Sequence, residues 1–470
     1  MARSPVLFVS WVMALCVVPR GVLGQSAAPA PAFDTLSPAL TLTLGEALEY
    51  ARAHQPEVRA AVARLSERVE EAKIPGGQWL PTVGVAAQLF AMTANNTTAS
   101  YIQPAMIDLP RIGATAATAS GKFTPYASTL VAAGITQEVF DFGRIGAERA
   151  AADAQVEVAK HRTDTTRLDI AFGVEEAFFA VLAAKAVVSA SRDAYERSLV
   201  HRDLAKRGVD AGLRSPIELT RAQADLDRFD LGRLRALGGL SVAQSVLSAA
   251  IGAPDPAVDA AREAPLPSAM PALGEALALA RRRDPRLAET LAQLKAAEEH
   301  TRAIAAELRP NLSLSATVSG RAGGAPPSSG PMAHADGWVP NVPNWDAALL
   351  LSWAIFDGSV AARRDAARSV EEVRREEVDV MRESEVAGVR KTYVEVGVSN
   401  AALAALRKQV VAARANYDQA DARFRAGIGN SVELADAEAV RADAEIGLAL
   451  GEFDLARARA AFGRAIAEGL

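Results

Sequence analysis

The chain has 470 residues, half of them hydrophobic, with a formal charge of −5 and only 5% aromatic residues. Acidic and basic side chains are interspersed rather than blocked, which argues against a nucleic-acid partner or a basic membrane-surface patch. A single cysteine and five histidines without metal-ligand spacing leave no disulfide or zinc framework, and no nucleophile or acid-base constellation stands out.

The chain begins "MARSPVLFVSWVMALCVVPRGVLGQS", with a basic start, an apolar run from Val6 to Val18, and Val22 and Gly24 ahead of a cut. That run is too short to span a bilayer and has the layout of a secretory signal over residues 1–24, followed by a linker over 25–40. Lipidation of Cys16 is the competing reading, and the large Leu15 in front of it counts against that.

Displacing the sequence by 229 positions (273 − 44) lays "LGEALALARRRDPRL" from Leu273 on "LGEALEYARAHQPEV" from Leu44. Displacing it by 215 (426 − 211) lays "AGIGNSVEL" from Ala426 on "AGLRSPIEL" from Ala211. The chain therefore reads as two copies of one unit, 41–254 and 270–470, joined by a linker over 255–269. Each copy predicts the same order: a helical segment, two β-like runs around a loop rich in small and polar residues, one long helix, a glycine turn, and a helix back.

In the second copy, "NLSLSATVSG" alternates, with Leu312, Leu314, Ala316 and Val318 on one face and Asn311, Ser313, Ser315, Thr317 and Ser319 on the other. "WDAALLLSWAIF" likewise places Trp345, Ala347, Leu349, Leu351, Trp353 and Ile355 together, and the first copy repeats the pattern more weakly in "TVGVAAQLF" and "ASTLVAAGITQEVF". Alternation alone fits a soluble sheet with one solvated face as well as it fits tilted outer-membrane strands of about ten residues. The tryptophans favour the membrane. Trp79, Trp338, Trp345 and Trp353, all those outside the signal, lie in or beside these runs, where interfacial girdles form.

No proline occurs from Arg144 to Arg207 or from Ser359 to Arg425. Each stretch predicts a helix on the order of 90–100 Å long, at 1.5 Å per residue. Apolar spacings of three and four (Val386, Val389, Tyr393, Val396, Asn400, Leu403; Leu168, Phe172, Phe179, Leu182) predict coiled-coil hairpins that turn at the glycines. Four strands alone would leave unpaired edges in hydrocarbon, so a membrane reading requires several chains.

The start "LTLGEALEYARAHQPEV", the "LPT" before the first strand, "VFDFG" and "IFDG" closing the strand pairs, and "RFRAGIGNSVELADAE" resemble the TolC-like outer-membrane efflux proteins, in this order and over nearly all of the chain from Thr41. The resemblance implies a mostly α fold with membrane β: long antiparallel helices forming a periplasmic α-barrel, and four strands per chain contributing to a trimeric 12-stranded barrel. It implies a homotrimer in the outer membrane of a Gram-negative bacterium, in contact with outer-membrane lipid. Its tips would meet a periplasmic adaptor protein joined to an inner-membrane pump. No cofactor and no catalysis are implied. The rival is a soluble periplasmic coiled-coil adaptor or scaffold.

The resemblance also assigns sites. Glu433 and Asp436, three apart after the second tip, correspond to the family's pore constriction. Gly212, Leu213 and Ser215 at the first tip and Gly427, Ile428 and Asn430 at the second correspond to adaptor-docking positions. The first tip departs from the family's basic-aromatic pair, having Gly208-Val209 where the second has Arg423-Phe424.

Overall fold

The computed structural model describes residues 40–93, 125–253, 258–262, 270–323 and 342–468. The expected signal, Cys16 and Trp338 lie outside the described residues.

The first copy comprises β1 (Leu40–Leu42), α1 (Leu44–His54), α2 (Pro56–Glu71), α3 (Ile74–Gly77), β2 (Thr82–Thr93), β3 (Pro125–Phe140), α4 (Arg144–Asp210) and α5 (Pro216–Ile251). The second comprises β4 (Val258–Ala260), α6 (Leu273–Arg283), α7 (Pro285–Ala306), β5 (Asn311–Gly323), β6 (Val342–Ser352), α8 (Gly358–Arg425) and α9 (Ser431–Ala465). The stretch expected as a plain linker, 255–269, holds β4, which pairs in parallel with β1. Leu40, placed in the N-terminal linker by sequence, is the first residue of that pair. Lys185 Nζ at 2.5 Å and Gln244 Nε2 at 3.0 Å hold the Asp259 carboxylate, so the passage between the copies is pinned to α4 and α5.

Local chemistry sets where the helices begin and end. Thr43 and Glu46 form a reciprocal capping box at the start of α1. At the end of α5, Gly252 adopts φ +75, and a Cβ there would meet Gln55 Cα at 2.8 Å, so only glycine lets α5 close onto α1. Gln55 Nε2 secures this contact by donating to Ala250 O at 2.9 Å.

β2, β3, β5 and β6 form one antiparallel sheet in that order, leaving β2 and β6 as its edges. Register carries the apolar face across all four strands, with Val83, Ile135, Ala316 and Ala347 in one row and Val85, Ala133, Val318 and Trp345 in the next. This face is exposed: Val85 is 75% exposed, Val318 64% and Leu349 63%. Thr317 and Ser319, on the opposite face, are buried. A soluble sheet solvates its polar face and covers its apolar one, so the arrangement is that of a wall turned toward lipid.

The two long helices, α4 with 67 residues and α8 with 68, are each about 100 Å long. The return helices α5 and α9 are roughly half that length. They cover the half of each long helix beyond the sheet, while α2 and α7 cover the half beside it, and α4 also packs along α9 and α7. On α8 the buried seam is Val389, Val396, Leu403, Val410, Tyr417 and Phe424, six positions exactly one heptad apart. This is the 3.5-residue repeat of a left-handed coiled coil. Two expectations need correcting. Asn400 is exposed rather than in the seam, and on α4 Leu168, Val174, Phe178 and Val181 are buried, while Phe172, Phe179 and Leu182 are only partly so.

Candidate functional site

The far ends of the two hairpins make the same turn. At the first, Gly212 takes φ +71 and the N–H groups of Leu213 and Arg214 donate to Gly208 O. At the second, Gly427 takes φ +76 and those of Ile428 and Gly429 donate to Arg423 O. A left-handed glycine thereby satisfies the terminal carbonyls of each long helix. Asn430 caps α9 by accepting from Glu433 N at 2.8 Å, whereas Ser215 makes no side-chain cap. Leu213 and Ile428 project into solvent, 84% and 73% exposed.

The turns differ in one reciprocal exchange. Gly208 and Arg214 at the first tip occupy the positions of Arg423 and Gly429 at the second. Gly208 makes room for the Arg214 side chain, since a Cβ there would meet Arg214 Cδ at 2.5 Å, whereas a Cβ on Gly429 would first meet backbone, Phe424 N at 3.0 Å. From opposite sides of the turn, each arginine reaches the same glutamate position. Arg214 Nη1 is 2.9 Å from Glu218 Oε2, and Arg423 Nη1 is 3.2 Å from Glu433 Oε1. The basic residue missing from position 208 is thus supplied by Arg214. Arg214 also bridges the hairpins: Nη2 donates to Phe424 O at 2.9 Å, and the guanidinium lies 3.7 Å from the Phe424 ring centroid.

Glu433 is half-buried against Arg423, and Asp436, one turn on, is exposed. The sequence argument missed what lies next along α9. Glu438 is 1% exposed and accepts from Arg197 Nε of α4 at 2.9 and 3.0 Å. Around this pair stand Glu445, bound by Arg414 at 2.8 Å and Arg441 at 3.3 Å, and Tyr417, whose hydroxyl meets His201 Nε2 at 2.9 Å. Burial pushes the Glu438 carboxyl up to about 7 against the pull of Arg197, and pushes the Tyr417 phenol up to about 12. Burial also holds the His201 imidazole below its usual range. The signal was there to read: Glu438 falls four residues after the buried Leu434, on the apolar stripe of α9.

At the other end of the molecule, Trp353 Nε1 donates to Leu308 O at 3.2 Å and Trp79 O accepts from Gln137 Nε2 at 3.5 Å, both where the sheet meets the helices. Trp345, 76% exposed, stands eight residues before Trp353, about 26 Å along an extended strand. The carboxylate of Asp141 caps α4 by accepting from Gly143 N and Ile145 N, fixing the step from sheet to helix. Among the described residues no group of three or more potential metal ligands occurs.

No curated protein matches the sequence. Solved channels share the fold. OprN aligns with a TM-score of 0.70 and 21% identity over 91% of this chain and 90% of that one. CmeC of Campylobacter jejuni gives 0.70 and 13% over 91% and 86%. MtrE of Neisseria gonorrhoeae, solved in its open state, gives 0.68 and 19% over 91% and 89%. The model of the outer membrane efflux protein family matches residues 47–253 and 276–468, one match per copy. The chain belongs to the outer membrane efflux protein family.

Proposed function

We propose that three chains join their sheets edge to edge, β6 of one to β2 of the next, closing a barrel of twelve strands (3 × 4) above a tube of helical hairpins. The assembly is a passive outer-membrane conduit that receives its substrates from a periplasmic adaptor and an inner-membrane pump. One observation carries this reading: the four-stranded sheet exposes its apolar face and leaves both edges unpaired within the chain. Unpaired backbone groups cost several kcal/mol each in hydrocarbon, so such a sheet enters a membrane only once closed. A water-soluble scaffold has no use for that face.

In the closed assembly Trp79 and Trp353 mark the periplasmic interface and Trp345 the outer one. Over about 26 Å of strand at a tilt near 40°, the two levels stand roughly 20 Å apart, close to the height of an outer-membrane apolar band. Glu433 and Asp436 line the narrow periplasmic mouth. Leu213 and Ile428, flanked by Gly212, Ser215, Gly427 and Asn430, are the apolar points on which an adaptor rests.

Single-channel recording of the detergent-extracted protein in a planar bilayer, with its mass measured in parallel, tests the reading. Discrete conductance steps from a trimer are expected. A monomer without conductance would overturn it.

A further inference from the structure

Beyond the middle of the molecule the two hairpins meet chiefly along α4 and α9. That contact is poor in apolar bulk. The buried positions of α4 from 190 to 205 hold only alanine and serine, and those of α9 from 437 to 449 hold only alanine besides Glu438. Side chains of that size bury little apolar area, so adhesion between the hairpins leans on the polar groups set among them.

Those groups form one cluster drawn from all four helices. Arg197 and His201 come from α4, Glu438, Arg441 and Glu445 from α9, and Arg414, Tyr417, Asp418 and Asp421 from α8. Asp225 of α5 joins His201 and Glu438 in lining a cavity of about 30 Å³, room for one water. Glu445 lies 2.8 Å from Arg414, 3.3 Å from Arg441 and 3.6 Å from Arg197, and these cations hold its carboxyl below the usual range against the effect of burial. Glu438 has one ion-pair partner among the described residues, Arg197, and burial raises its carboxyl to about 7. His201 stands 2.9 Å from the Tyr417 hydroxyl and 3.8 Å from Asp421; burial, with Arg425 and Arg197, keeps its imidazole below the usual range despite Asp421.

The cluster is joined to the tips. Leu434, one turn before Glu438, packs with Tyr417 and Phe424 of α8, and Phe424 is the residue that Arg214 holds from the first hairpin. Asp436, two residues before Glu438, stands about 200° round α9 from it, so the contact that fixes Glu438 against α4 also fixes the direction in which Asp436 points.

We propose that Arg197, Glu438 and His201 form a proton-operated interlock between the two hairpins, tightest near pH 6 and looser on either side. It rests on the conduit reading above only in its consequence, that loosening the hairpins widens the periplasmic mouth. A carboxyl that binds its proton more tightly when packed than when solvated favours separation as pH rises through 7. An imidazole that packing keeps neutral favours separation when it gains a proton, as pH falls below 6. Near pH 6 the cluster holds a protonated Glu438 and a neutral His201, the forms that cost least to bury.

Hydrogen exchange of the trimer over residues 194–205 and 434–445 at pH 5, 6 and 8, corrected for the intrinsic rate, tests the interlock, and single-channel open probability at the same pH values tests its consequence. In the wild-type protein the opening equilibrium should rise by about tenfold from pH 6 to 8, and less steeply from pH 6 to 5. Glu438→Gln should remove the alkaline rise and keep the acid one, and His201→Gln should do the reverse. Exchange that is flat across pH, or that keeps both rises in the two variants, would overturn the interlock even in a conducting trimer. Exchange that follows pH as expected in a trimer without conductance would uphold the interlock and overturn the conduit reading alone.

Discussion

Arg197 of the first hairpin and Glu438 of the second form a buried ion pair, 2.9 Å between Nη2 and Oε1, in a charged cluster where Glu445 stands 3.6 Å from Arg197 and the Glu438 carboxylate is 1% exposed. Removing one partner of such a pair costs about 3–5 kcal/mol, far more than removing an exposed one. Arg197→Ala should therefore lower the thermal unfolding midpoint markedly at pH 8. The loss should be smaller at pH 5, where Glu438 is protonated and leaves no charge behind. Calorimetry of the trimer at both pH values checks this; equal losses would contradict it.

The same carboxyl shapes the pH dependence of the whole protein. Glu438 and Glu175 are both raised to about 7 in the folded chain, Glu175 by burial and by the nearby Glu468. A raised carboxyl binds its proton more tightly when folded. Its contribution is complete below its ordinary value near 4.5 and is lost as pH rises through about 7. Stability should fall between pH 5 and pH 7.5, by roughly 3 kcal/mol for the Glu438 share. Glu438→Gln should flatten part of that slope, and adding Glu175→Gln should remove most of the rest. An unchanged slope in the double variant would show that other groups govern it.

At the tips, the two arginines should not be equivalent. Arg214 binds across to the other hairpin through Phe424, whereas the described ion pair of Arg423 stays within its own hairpin. Arg214→Ala should cost about 1–3 kcal/mol locally, as loss of a charged hydrogen bond with a cation-π contact does. Arg423→Ala should cost under about 1 kcal/mol, as exposed pairs do. Hydrogen exchange over residues 205–215 and 420–430 would then accelerate strongly in the first variant and slightly in the second.

Gly427 holds a left-handed conformation at φ +76 with open space around it. Gly427→Val should strain the turn by about 1–3 kcal/mol through its backbone alone. Gly45→Ala, in a helix and also unobstructed, should be neutral or slightly stabilising. Comparing the two by proteolysis at the tips separates backbone strain from steric clash.

The exposed tryptophans give a direct test of which face meets lipid. Brominated phospholipids should quench Trp345 and Trp353 in reconstituted protein, and single-tryptophan variants would resolve the depth of each. Failure to quench Trp345 would remove it from the outer girdle.

Much of this protein is legible in its sequence because its elements are long and strictly periodic. The absence of proline fixed the extent of α4 and α8 to within a few residues, and alternation located β5 and β6, since local geometry alone sets the 3.6- and 2-residue repeats. The duplicated glycine turns located both tips, because only glycine takes the left-handed conformation cheaply. Sequence could not say which face of the sheet is covered, since the same alternation serves a soluble sheet and a membrane wall. That was decided by the packing of four strands drawn from both copies. Nor could it pair Arg197 with Glu438 across 241 positions, or show that Arg214 takes the place of the basic residue absent at Gly208. Those contacts exist only once the two hairpins lie side by side, where burial makes a lone charge costly and brings its partner within reach.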